Sequence, residues 1–319
     1  MLRRTTVLTF SECNLCPREC GIDRNIQPGF CQGTCRCKLA RAALHFWEEP
    51  CISGSRGSGT VFFSGCNLRC CYCQNHQISS EGRGQEVSTA RLAQIFLELQ
   101  QKGAHNINLV TPTPYLPHIL QALDAVKGQL YIPVIYNSSG YEKLATIKEL
   151  NGYVDVYLPD FKYLDNQLAR KYSNVDDYFE VATAAIQEMT CQTGELQFDE
   201  DGIIQKGVII RHLVLPGGWR DSLAILNWIK NNLPLDSIWL SLMSQYTPTF
   251  HVHKYPEINR RITSWEYETV VTEARRLGLV NGYIQERSSA SKEYTPPFNM
   301  EGIESNTIVI SNRGQEMNR

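Results

Sequence analysis

No stretch of the 319-residue sequence reaches the roughly 18 consecutive apolar residues that a membrane-spanning helix needs. The first residues do not read as a secretory leader either, because Arg3 and Arg4 are followed by Glu12 and Cys13 before any sufficiently long apolar segment. An excess of charge of one sign is also missing. Lys and Arg number 31 against 33 Asp and Glu, a formal charge of −2, and no basic block concentrates the positive field that a nucleic-acid or anionic-membrane binder uses. Internal repeats and low-complexity tracts are absent. Together these absences predict a globular, cytoplasmic protein with no membrane partner and no nucleic-acid partner.

Cysteine is abundant. Of 12 cysteines, 11 fall between Cys13 and Cys73, and Cys191 stands alone. In a reducing compartment such crowding serves a metal or cluster better than a disulfide framework. Residues 1–58, with their Cys, Gly and Pro and little periodicity, read as a loop-rich metal-binding module.

From Thr60 onward β-rich runs alternate with helical patterns. Candidate strands are Thr60 to Ser64, Ile107 to Val110, Pro133 to Asn137, Val154 to Asp160, Val208 to Pro216 and Ser237 to Met243. Leu92, Ile95, Phe96 and Leu99 repeat at helical spacing between Ser88, a candidate N-cap, and Gly103. Ile119, Leu120, Leu123 and Val126 give a second helix, Leu223, Leu226, Ile229 and Leu233 a third, and Trp265 to Leu277 another. Six repeated βα units predict a parallel sheet, too few for a closed eight-stranded barrel. The expected fold is therefore α/β, a partial (β/α)6 barrel over residues 59–287, with functional side chains at the C-terminal strand ends. Asp201-Gly202 suggests a hairpin before the fifth strand. Residues 288–319 form a polar tail that the pattern does not place.

Directly after the first strand comes Ser64-Gly65-Cys66-Asn67-Leu68-Arg69-Cys70-Cys71-Tyr72-Cys73. Cys66, Cys70 and Cys73 form C-x3-C-x2-C, three thiolates that can hold three irons of a [4Fe–4S] cluster and leave the fourth open. A zinc knuckle or buried unligated thiols are the competing readings. With Tyr72, the motif resembles the radical S-adenosylmethionine (SAM) signature. Its surroundings, together with Cys13-Asn14-Leu15-Cys16-Pro17-Arg18-Glu19-Cys20, Asn108 to Thr113, Tyr136 to Glu142 and Leu242 to Tyr246, resemble proteins related to pyruvate formate-lyase-activating enzyme. The resemblance implies a [4Fe–4S] cluster whose open iron chelates SAM. It also implies an electron donor such as flavodoxin or ferredoxin, one-electron cleavage to a 5′-deoxyadenosyl radical, and hydrogen abstraction.

Carried over residue by residue, the resemblance places Tyr72 near adenine and makes Cys71 a bystander. The family's second strand ends in Gly-Gly-Glu, which contacts the SAM ammonium; here Thr111-Pro112-Thr113 stands there, so Thr111 and Thr113 are expected to replace that carboxylate as hydrogen-bond acceptors. Asn137-Ser138-Ser139-Gly140 stands where the activases have Asp-Thr-Asn-Gly. Asp160, followed by Lys162, resembles their Asp-x-Lys, the strand ends that can hold a monovalent cation beside SAM. Arg211 resembles the arginine that reaches the SAM ribose or carboxylate. Each has a structural alternative in local backbone bonding or ion pairing.

Cys13, Cys16, Cys20 and Cys31 have the count and spacing for zinc or an auxiliary iron–sulfur cluster, and spacing does not choose between them. Cys51 is a weaker candidate near the triad loop. His251 and His253 have a spacing that could put both on one strand face, but a solvated or core histidine is the preferred reading, and alternation sends one of Arg211 and His212 into the barrel. The expected function is SAM-dependent hydrogen abstraction, with a glycyl-radical enzyme as one protein substrate. The alternatives are modification of a peptide or small metabolite, a non-catalytic iron–sulfur scaffold, and a zinc-containing nucleic-acid-binding protein.

Overall fold

The structure, a computed structural model, describes residues 8–285 and 295–304. Most of the expected tail therefore lies outside the described residues. The strands are β1 Cys37–His45, β2 Ser58–Phe63, β3 Gln85–Val87, β4 Ile107–Val110, β5 Val134–Ser138, β6 Val156–Pro159, β7 Gln197–Phe198, β8 Ile204–Leu213, β9 Ile238–Met243 and β10 Gly282–Ile284. The α-helices are α1 Pro50–Ser53, α2 His76–Ser79, α3 Thr89–Gln101, α4 Leu116–Ala125, α5 Leu144–Glu149, α6 Asn166–Ser173, α7 Tyr178–Thr193, α8 Trp219–Asn232 and α9 Ser264–Arg276.

One sheet runs β10-β9-β8-β6-β5-β4-β2-β1-β3, and β7 pairs off β8. From β2 through β10 the main-path pairings are parallel, whereas β1 and β3 join antiparallel at one end. The terminal strands β3 and β10 are not paired with each other, so the barrel is partial, as the count of βα units predicts. All six expected strands are present, and β10 adds a seventh parallel one.

Alternation along these strands separates two environments. Val61, Phe63, Ile107, Leu109, Val134, Tyr157, Val208, Ile210 and Leu240 face the helices in the main apolar core. The opposite phase turns Asn108, Asn137, Asp160 and Arg211 inward, where their side chains meet one another or Glu48. Helix α3 starts where expected, the Ser88 Oγ accepting from Arg91 N at 3.1 Å, and buries Leu92, Ile95, Phe96 and Leu99. Thr263 and Glu266 form a capping box at the start of α9. The Asp201-Gly202 turn joins β7 to β8, so the hairpin continues into the fifth barrel strand rather than preceding it.

The segment expected to be loop-rich contains the nine-residue strand β1. Because β1 is antiparallel to β2, His45 lies opposite Ser58, and the turn after β1 reaches the N-terminal end of the barrel. The segment around Met300 caps its flank, with Met300 N donating to Ala40 O at 3.1 Å and Ala42 N to Glu301 O at 2.8 Å.

Candidate functional site

A cavity of about 250 Å³ lies inside the C-terminal strand ends, and Cys66, Cys70 and Cys73 all line it. Each sulfur has a nearby polar partner. Leu68 N donates to Cys66 Sγ at 3.4 Å, while the hydroxyls of Ser173 and Ser79 lie 3.0 and 3.2 Å from the Cys70 and Cys73 sulfurs. Burial pushes all three thiols up, Cys73 to about 11, with the Lys162 ammonium acting against it. Three clustered thiols of this kind become thiolates only beside compensating positive charge, which suits the irons of a cluster. Cys71 takes another direction: its side chain is buried in the apolar core, and its N–H donates to Tyr172 O at 2.8 Å. The Tyr72 ring lines the cavity, its hydroxyl 2.6 Å from that of Tyr163.

Opposite the triad loop, Asp160 is the centre of a charged layer. Lys162 Nζ donates to its Oδ2 at 2.6 Å and Arg211 Nε to its Oδ1 at 2.9 Å, while Arg211 Nη2 donates to Asn137 Oδ1 at 2.7 Å. Burial alone would raise the Asp160 carboxyl, but Arg211 and Lys162 outweigh it and hold the carboxyl below its usual range. Asn137 and Ser138 line the same cavity. Arg211 points inward, whereas His212 points out to Phe161 O and Ser222 Oγ at 2.7 and 2.8 Å. Burial lowers His212 to about 4 and keeps it neutral.

The two threonines do not act as a pair. Thr111 lines the cavity with φ +57°, an unusual backbone for a β-branched residue. That left-handed step starts a turn, and Thr113, buried in a short 3₁₀ segment, donates instead to Glu142 Oε1 at 2.8 Å. Thr113, expected beside Thr111, lines the neighbouring cleft instead of this cavity. His251 and His253 flank Val252 in a 3₁₀ turn rather than on a strand face, and both are exposed, which is the solvated reading. Cys51 packs with Ile52 and Ile135 in a separate core cluster, with its N–H to Tyr283, away from the triad loop.

Glu48 was not signalled by spacing or periodicity. It rises from the turn after β1, lines the cavity, and accepts from Asn108 Nδ2 at 3.2 Å and Arg211 Nη1 at 3.5 Å.

Cys13, Cys16, Cys20 and Cys31 line one small cleft, walled on the barrel side by Asn67, Thr113 and Pro114. Arg24, 1% exposed, stands in it with Nη1 3.8 Å from Cys13 Sγ and its other donors on the carbonyls of Gly33, Thr34 and Pro114. Burial lifts Cys16 to about 12 and also raises Cys31, where Arg24 acts against it. Among the described residues, no three His, Cys, Asp or Glu side chains converge as a ready-made single-ion site.

Comparison with known proteins follows this geometry. Residues 60–190 match the model of the radical SAM superfamily. The chain belongs to that superfamily. An uncharacterized protein of Methanocaldococcus jannaschii is 32% identical over 280 residues, covering 85% of this chain and 76% of that protein. Among solved structures, Streptococcus suis SuiB bound to S-adenosylmethionine is 13% identical with a TM-score of 0.47, covering 73% of this chain and 51% of SuiB. Methylornithine synthase is 14% identical with a TM-score of 0.46, covering 65% and 58%. This radical SAM chain thus spans about half the length of those solved chains. Membership implies a [4Fe–4S] cluster and SAM, and the cavity bearing Cys66, Cys70 and Cys73 has the donors for both. No helix among the described residues is long and apolar enough to cross a membrane.

Proposed function

We propose that the protein reductively cleaves SAM and abstracts hydrogen from a substrate admitted through the open side of the barrel. The observation that carries this reading is the convergence of Cys66, Cys70 and Cys73 with Tyr72, Asp160, Lys162 and Arg211 on one cavity. Bound there, a [4Fe–4S] cluster and SAM supply one-electron cleavage of the sulfonium and a radical that abstracts hydrogen. The chain's own part is to hold and orient. Cys66, Cys70 and Cys73 would ligate the cluster. Thr111, Asn137 and Ser138 offer hydroxyl, amide and backbone groups to SAM, while Asp160 and Lys162 fix Arg211 as a donor for its ribose or carboxylate. The electron would come from a donor such as flavodoxin or ferredoxin.

The resemblance to the activases supports a glycine Cα in a glycyl-radical enzyme as the target, and the unclosed sheet gives a protein loop a way in. Anaerobic reconstitution, reduction with SAM and assay of 5′-deoxyadenosine test the core reading. Adding candidate glycyl-radical enzymes and recording electron paramagnetic resonance tests the finer one. Product without a backbone radical on any of them redirects the search to a peptide or small metabolite.

We further propose that Cys13, Cys16, Cys20 and Cys31 hold zinc or a second cluster. The support is Arg24, a fully buried cation that has no carboxylate partner among the described residues and faces those thiols. A metal held by four thiolates would supply the missing negative charge.

A further inference from the structure

Glu48 lines the far end of the cavity, with Asn108 bonded to it and Glu49 next to it in the chain. Glu48 and the triad loop stand at opposite ends of it: His45 pairs with Ser58 at the start of β2, whereas Cys66 follows the end of that strand. Arg211 and Lys162, the cations lining the cavity near Glu48, commit their short bonds to Asp160 and Asn137. What remains for Glu48 is the long 3.5 Å contact from Arg211 and the Asn108 amide. The Asn108 side chain is fully buried, and its Oδ1 has no partner. Glu49, next along the turn, likewise keeps a buried Oε2 without one. Buried acceptors without donors are costly, and clustered carboxylates repel one another. An ammonium or guanidinium group removes both costs at once, since it carries several N–H donors and a positive charge and accepts nothing. Trp47, which also lines this end of the cavity, adds an aromatic face of the kind cations favour.

We infer that Glu48, supported by the neighbouring Glu49 and Asn108, forms a subsite for the cationic group of the substrate, a protonated amine or a guanidinium. The inference deepens the hydrogen-abstraction reading and rests on it for the word substrate. SAM carries an ammonium too, but the resemblance assigns that group to the open iron at the triad end. Glu48 serves the other end. Neutral and anionic substrates are disfavoured, because they leave the acceptors unpaired or add repulsion.

The test uses the full-length, reconstituted protein and n-butylammonium as the probe, with n-butanol and potassium chloride as controls at constant ionic strength. Saturating butylammonium should raise the unfolding midpoint by about 2–5 °C, with no comparable shift from either control. Glu48→Gln should abolish that shift while keeping iron content and leaving SAM affinity within about threefold of the parent. Glu49→Gln should weaken butylammonium binding at least about threefold, which gives a second reading should Glu48→Gln fold poorly. An equal shift with potassium would mean a structural ion site and overturn the inference. It is equally overturned by an equal shift with butanol, by butylammonium binding unchanged in both variants, or by a SAM affinity reduced more than about tenfold in Glu48→Gln. Absence of 5′-deoxyadenosine from the wild-type protein would sink the enzymatic reading instead, leaving the butylammonium result to stand or fall separately.

Discussion

The backbone N–H of Cys66 donates to the carbonyl of Cys31 at 3.2 Å, so the first thiol of the triad hangs from the last of the N-terminal four. Gly65 makes this approach possible. With φ +91°, it leaves no room for a Cβ, which would come within 2.4 Å of that same carbonyl oxygen. Gly65→Ala should therefore cost about 2–4 kcal/mol of stability and lower the iron bound at the triad, to be read by denaturant unfolding and iron assay.

Replacing Cys66, Cys70 or Cys73 by Ala should remove the triad's iron and 5′-deoxyadenosine formation together. Cys71→Ala should keep the iron and lose only about 1–2 kcal/mol of core packing. Iron content and product assay on the four variants decide it; retained cleavage in Cys70→Ala with loss in Cys71→Ala would reverse the assignment.

Metal analysis of the Cys66/Cys70/Cys73 triple Ala variant isolates the N-terminal site. About one zinc per chain, or several irons, should remain and be lost when Cys13 and Cys16 are also replaced. A metal-free triple variant would defeat the site and leave Arg24 without its proposed counter-charge.

The threonines should now separate. Thr111→Gly relieves a left-handed backbone and should stabilise the protein by about 1 kcal/mol while weakening SAM binding through loss of the cavity-lining side chain. Thr113→Val should leave SAM affinity alone and destabilise by about 1–2 kcal/mol, because Glu142 loses a hydrogen-bond donor. Calorimetric titration with SAM and thermal unfolding give the two readouts; equal loss of SAM affinity in both variants would return Thr113 to the cavity.

Burial lifts Glu142 from 4.5 to about 8, although the hydroxyls of Thr113, Tyr136 and Ser138 act against the shift. Between those values the folded protein keeps a proton that the unfolded chain has released. This contribution to stability is fully present below about pH 4.5 and is lost as pH rises through about 8. Glu142→Gln should flatten that slope and be more stable than wild type near pH 9 by roughly a few kcal/mol. Urea unfolding at pH 6 and pH 9 checks it, and parallel pH profiles for the two proteins would count against the buried-acid account.

The main barrel strands were readable because each has several β-forming residues in a row and lies between helical or turn signals. Asp160 and Arg211 were each picked out by the resemblance, on different strands, but their 2.9 Å bond was not legible in the sequence. Thr113 misled because two-residue alternation stops at Val110, where the strand ends and Thr111 turns left-handed. Helix α7 escaped notice because its buried face is mostly Ala and Thr, which give a weak apolar period. Strand β1 was hidden for a related reason: Ala40, Ala42 and Ala43 are small, and its partner lies across a turn and a short helix. Glu48 had no local signal, since its neighbours in the cavity come from β4 and β8, far along the chain.

Ser173, whose hydroxyl lies 3.0 Å from Cys70 Sγ, stands 103 residues downstream of that thiol. Its carbonyl also receives the N–H of Arg69, and Arg18 donates to the carbonyl of Asn174. The platform beneath the triad loop therefore cannot exist on the ribosome until α6 has emerged. At about 5–20 residues per second, the three thiols of a nascent chain wait at least about 5 s in an unfinished pocket. A cluster held by this triad would therefore find its finished pocket only after the central third of the chain has been made.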